Sequence, residues 1–142
     1  MRERAADFEP LSVDRFIAGA LQPAAWYLRA QRFRALYRQK VAALFEDWDV
    51  LLAPATPICA PVIGTETFEL NGSTVPARPS LGLLTQPISF SGCPVVAVPL
   101  WPEGSLPIGV QVIAAPWRED LALRVARVLE AKGVAKAPVS RW

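Results

Sequence analysis

The 142-residue sequence predicts an α/β layer built from one long helix, a few short strands and a closing helix. Three observations carry that expectation. Apolar residues recur at spacings of three and four from Trp26 to Trp48, which is the period of a helix face. Residues 95–100 and 109–114 are apolar runs of strand length bounded by glycine and proline. An apolar stripe of helical period then returns after Glu119 and stops near Gly133.

Taken in order, residues 1–22 are mixed and weakly patterned. The long helix is expected over about 23–46, with Pro23 suited to a first turn, where its missing N–H costs nothing. Trp26, Ala30, Phe33, Tyr37, Val41, Leu44 and Trp48 mark its expected buried face. Residues 49–54 read as a short buried strand stopped by Pro54 and Pro57. A hairpin is expected over about 66–77, because Asn71-Gly72 is the pair that tolerates positive φ at both positions of a type I′ turn. Residues 81–90 read as a short helical segment interrupted by Pro87.

Core strands are expected at about 95–100 and 109–114, both reading as covered on two faces. Gln111 alternates with Val110 and Val112, so its amide faces the opposite side and is expected to bond a buried backbone group. The closing helix is expected over about 119–132, with Glu119 and Asp120 at its electropositive start. Two helices cover few strands of this kind. The layer therefore reads as incomplete, a single segment (1–142) of a larger domain.

Composition removes several function classes. Apolar residues make up 52% and charged residues 20%, which excludes a disordered chain. Mean hydropathy is +0.25, yet no run approaches the roughly 18 apolar residues of a membrane span. The first residues lack the apolar core of a secretory signal. The apolar excess is expected to be buried in this chain's own core or against a partner. A net charge of +2 gives little attraction for nucleic acid, so Arg29, Arg32, Arg34, Arg38 and Lys40 read as a solvated helix face. The sequence has no histidine, which removes Ser-His-Asp and Cys-His catalysis and most zinc chemistry. Cys59 and Cys93 lie in apolar settings without metal-ligand spacing; they read as reduced thiols of a cytoplasmic chain, with no metal and no cofactor implied.

Four stretches, in this order, resemble the last third of the amidase-signature family. They are Ala30-Gln31-Arg32-Phe33-Arg34 with Asp49-Val50-Leu51-Leu52-Ala53-Pro54; Pro87-Ile88-Ser89-Phe90-Ser91-Gly92-Cys93-Pro94-Val95-Val96-Ala97-Val98-Pro99; Leu106-Pro107-Ile108-Gly109-Val110-Gln111-Val112-Ile113; and Glu119-Asp120 opening a helix that runs to Glu130. The resemblance covers about residues 8–134. It implies the C-terminal part of the family's mixed sheet covered by helices, incomplete on its own. Leu84-Thr85-Gln86-Pro87-Ile88-Ser89 and Ala115-Pro116-Trp117-Arg118-Glu119-Asp120 are most similar to the 1-carboxybiuret hydrolase type of amidase; amidotransferase A-subunits acting on glutamyl-tRNA(Gln) are the broader relatives.

The resemblance implies hydrolysis of a linear amide through an acyl-serine. It also implies that the family's two serines and lysine belong to an upstream Gly- and Ser-rich region that this sequence does not contain. No catalytic residue is therefore assigned, and the chain alone is expected to be inactive. Lys40, Lys132 and Lys136 all read as solvated, and none has a Ser-x-x-Lys spacing. Thr85, Gln86 and Ser89 are implied by the resemblance to line the substrate pocket, although Ser89 and Ser91 need no further role than that of turn residues bonding their own backbone. Arg78 is a candidate for a substrate carboxylate, because a guanidinium fork matches one; the alternative is a solvated loop arginine. Gly82 stands where the amidotransferase carries an aspartate that helps hold glutamine, which argues against glutamine as substrate. The expected partners are the missing N-terminal amidase portion or a second copy of the chain, with a small protein like the amidotransferase C-subunit as a further one. A rival reading makes the chain a non-catalytic interaction module derived from such an enzyme.

Overall fold

The computed structural model describes Arg4 and residues 7–137, so most of the start of the chain, read as lacking the apolar core of a signal, lies outside the described residues. Contacts divide the chain into two compact units, Met1–Leu36 and Tyr37–Trp142.

The first unit holds α1 (Pro10–Leu21) and the start of α2 (Ala24–Leu44). Helix α1 corrects the reading of residues 1–22 as weakly patterned. Its apolar residues, Leu11, Val13, Phe16, Ile17, Ala18, Ala20 and Leu21, are spread over only twelve positions and include two alanines, so a period is hard to read, but Pro23 and the break before it separate it cleanly from α2. The Pro23 carbonyl accepts the N–H of Trp26 at 2.9 Å, as a first-turn proline should. Phe8 and Phe16 meet edge to face at 5.3 Å.

Helix α2 buries no residue fully. Its half-buried positions are Gln31, Arg34, Tyr37, Val41 and Phe45 just beyond its end, again at spacings of three and four. Only Tyr37 and Val41 belong to the face expected to be covered. Trp26, Phe33 and Trp48 are 60%, 61% and 63% exposed. The period was right and the buried face was not.

In the second unit, β1 (Val50–Pro54), β4 (Val95–Leu100) and β5 (Ile108–Ala114) form a three-stranded antiparallel sheet in the order β1-β5-β4. Register places Val50, Leu52, Val96, Val98, Val110, Val112 and Ala114 on one face. Helix α5 (Glu119–Ala131) packs there through Leu121, Ala122, Val125, Ala126 and Leu129. Ala122 is fully buried; its small side chain lets the helix lie close to Val112 and Ala114, both at 0% exposure. Ile113 and Gln111 are buried on the opposite face. Double coverage holds for the central strand β5 only. On the flanking strands Leu52 and Val95 are exposed, because each lies in a strand with one neighbour.

In the first turn of α5, the Asp120 carboxylate accepts a hydrogen bond from Arg118 Nε at 3.0 Å. That hydrogen bond holds the Asp120 carboxyl below the usual carboxylate range and raises Arg118. The helix ends in a Schellman motif. Gly133 at φ 70° lets Val134 N–H reach Leu129 O at 3.0 Å while its own N–H bonds Glu130 O at 2.9 Å. Strands β2 (Thr67–Leu70) and β3 (Ser73–Pro76) form the expected hairpin, with Asn71 and Gly72 at φ 50° and 77°.

Of residues 81–90, expected as one helical segment interrupted by Pro87, residues 81–85 form a turn and the rest belongs to α4 (Gln86–Ser91); a short helix, α3 (Ala77–Ser80), precedes the turn. Pro87 lies in the first turn of α4. It opens that helix, where no intrahelical N–H is needed, and so does not interrupt one. No helix among the described residues is long and apolar enough to cross a membrane.

Candidate site on the turn before the fourth helix

The turn over residues 81–85 is wound tightly on its own backbone. Leu83 N–H bonds Ser80 O at 3.1 Å, and both Thr85 and Gln86 N–H converge on Gly82 O at 3.2 and 3.1 Å. Thr85 Oγ1 donates to the same carbonyl at 3.1 Å. Thr85 is the N-cap of α4, half-buried, and Gln86 is the first helical residue, exposed.

This winding brings two of the expected site residues together over Gly82. A Cβ built on Gly82 would lie 3.5 Å from Gln86 Nε2 and 3.8 Å from Thr85 Oγ1, both ordinary contacts. The glycine therefore leaves a gap faced by one amide and one hydroxyl. Ser89 lies one turn along α4, its N–H on Thr85 O at 2.9 Å, with an exposed side chain. Arg78 sits on α3, one segment earlier, and is exposed. Ser91 is the turn residue expected: buried, donating to Ile88 O at 2.5 Å and accepting Cys93 N–H at 3.2 Å, with Gly92 in the left-handed region behind it.

Two anchors hold this segment. Gln111 Nε2 donates to Leu84 O at 3.2 Å and to Pro54 O at 2.9 Å, as the alternation in β5 predicted. Phe90 meets Tyr37 in a tilted ring contact with centroids 5.7 Å apart. Sequence reasoning named Gln111 as a bonded buried amide and missed which segment it would hold, because Leu84 is 27 residues away.

The other features carry less chemistry. A cavity of about 420 Å³ between β4 and α5, bordered by Val98, Leu123, Ala126 and Glu130, touches none of the four expected site residues. Lys40, Lys132 and Lys136 are all exposed. Among the described residues, no group of three or more Cys, Asp or Glu is placed to hold a metal.

Comparison with known proteins gives this geometry its context. The chain is 66% identical over 138 residues to the 1-carboxybiuret hydrolase subunit AtzE of Pseudomonas sp. (strain ADP), covering 96% of this chain and 30% of that protein. It is 35% identical over 136 residues to the glutamyl-tRNA(Gln) amidotransferase A-subunit of a Cyanothece species, covering 91% of this chain and 27% of that one. A solved structure described as an unexpected vestigial protein complex, revealing the evolutionary origins of an s-triazine catabolic enzyme, superposes with a TM-score of 0.91 at 65% identity, over 97% of this chain and 31% of that chain. A crystal structure of an amidase superposes with a TM-score of 0.86 at 30% identity, over 92% and 30%. The chain thus spans about 30% of the length of the relatives it matches most fully, and its fold is a partial domain. The Amidase family model matches residues 2–123, and the chain belongs to that family.

Proposed function

We propose that this chain is the C-terminal segment of a hydrolase that cleaves a small linear amide of the carboxybiuret kind. The observation that carries the reading is the 66% identity, over 138 residues, to a 1-carboxybiuret hydrolase subunit. In this reading the two serines and the lysine of the reaction lie in a preceding part of the enzyme. A serine hydroxyl attacks the amide carbonyl, the amine leaves, and water hydrolyses the acyl-serine.

The present chain completes the sheet and supplies one wall of the pocket. Thr85 and Gln86 offer a hydroxyl and an amide beside the gap at Gly82, Ser89 extends that polar edge, and Arg78 takes a substrate carboxylate through its guanidinium fork. A glycine at 82 provides no anion for an ammonium group, which disfavours glutamine. The whole chain acts as one segment of a cytoplasmic enzyme without a cofactor. Its partners are the N-terminal amidase portion, or a second copy where that portion is absent, together with a small protein like the amidotransferase C-subunit. The high identity to a hydrolase subunit weighs against a free-standing interaction module.

Co-expression tests the proposal. The chain should co-purify with an amidase segment carrying the serine- and lysine-bearing region, and the pair should release ammonia from 1-carboxybiuret but not from glutamine. Absence of both complex and turnover would refute it.

A further inference from the structure

We propose that Gln111 is a positioning residue that sets where Thr85 and Gln86 stand in the pocket wall; this rests on the reading of that turn as lining the substrate site. Gln111 is 4% exposed and lies at the centre of β5, the strand paired on both sides. Both groups facing its amide nitrogen are carbonyl oxygens, so the nitrogen must point to them and each of its two N–H groups has an acceptor. One is Pro54 O, at the end of β1. The other is Leu84 O, in the peptide immediately before Thr85.

One planar amide thus fixes the turn relative to two strands of the sheet. The Leu84 carbonyl cannot shift without losing its donor, and Thr85 Oγ1 and the Gln86 amide shift with it, because both residues are tied back to Gly82 O. Toward the C-terminal end of α4, Phe90 is set against Tyr37. The polar pair lies near the Gln111 contact, which as a hydrogen bond is directional.

Few side chains can replace this one. Asparagine is one methylene shorter and cannot span the same two acceptors. Glutamate has the length but no donor when ionised, and it would face two carbonyl dipoles in a buried place. Both the burial and the dipoles favour its protonated form, which restores a single O–H donor.

The test uses the complete enzyme that carries this segment, with 1-carboxybiuret as probe. Gln111→Glu should raise KM roughly tenfold at alkaline pH, the scale of one or two lost hydrogen bonds, with kcat changed by less than about threefold. The ratio of variant to parent KM should shrink as pH falls and the introduced acid takes up its proton. A purely structural role would lower thermal stability and leave that ratio flat. A KM within twofold of the parent across the pH range would overturn the proposal.

If Gln111→Glu does not accumulate as folded enzyme, Gln111→Asn decides the question by the split between constants: a rise in KM with kcat changed by less than about threefold supports positioning, and an unchanged KM overturns it. Thr85→Ala and Gln86→Ala separate the two levels of the argument. If neither changes KM, the pocket reading fails and the positioning role with it; if either raises KM while the Gln111 variants do not, only the positioning role fails.

Discussion

Gly109→Ala is the substitution whose cost follows most directly from the coordinates. A Cβ on Gly109 would stand 2.9 Å from Ala55 Cβ, where apolar carbons prefer about 3.5–4.0 Å. The two segments would have to part by about 0.6–1.1 Å, the difference between those separations. Neither atom can rotate away, since each is fixed to its own backbone. The strain therefore falls on the hydrogen bond from Ala55 N–H to Gly109 O, now 2.8 Å, and on Pro54 just before it, whose carbonyl takes the Gln111 amide. Overpacking of this kind costs about 1–3 kcal/mol, and the weakened hydrogen bond adds about 1 kcal/mol. The expected loss is about 2–4 kcal/mol, measured by urea denaturation with far-UV circular dichroism and tryptophan fluorescence. All variants must be compared at one protein concentration, because association shifts apparent stability. Ala55→Gly removes the opposing methyl, so the double variant should recover most of the loss. A single-variant cost under about 0.5 kcal/mol, or a double variant no better than Gly109→Ala, would refute the close approach as the cause.

Two further outcomes follow from the surface and from α5. The purified 142-residue chain should sediment above its monomer mass of 15.5 kDa, and replacing Trp26 and Phe33 together by polar residues should reduce that association. Each such side chain, if buried at an interface, contributes roughly 1.5–3 kcal/mol, and a compact monomer at micromolar concentration would contradict the expectation. Asp120 has a lowered carboxyl pKa, caused first by its hydrogen bond from Arg118. Its contribution is therefore present above the unfolded carboxylate value and is lost as pH falls through the folded one. Asp120→Asn should make the acid limb of the stability profile shallower; the pair is exposed, so the change should be small, and an identical acid limb would rule the contribution out.

The sequence by itself determined the local structure of the second unit. Asn71-Gly72 dictated the hairpin turn, because both residues must take positive φ and few others do so cheaply. Gly133 set the end of α5 for the same reason, and the apolar runs set β4 and β5. Alternation alone indicated that Gln111 faces away from Val110 and Val112 and needs an acceptor. Those are short-range constraints, written within a few residues of where they act.

Other features were decided only by tertiary structure. Whether Pro87 breaks a helix or opens one depends on how the preceding turn winds on Gly82 O, which propensity does not specify. The period of α2 could be read, but the face that is covered depends on what packs against it, and Trp26, Phe33 and Trp48 remain exposed here. The strand order β1-β5-β4 and the meeting of Gln111 with Leu84 join residues tens of positions apart. Such pairings are fixed by chain closure and burial of the whole layer, so no window of sequence contains them.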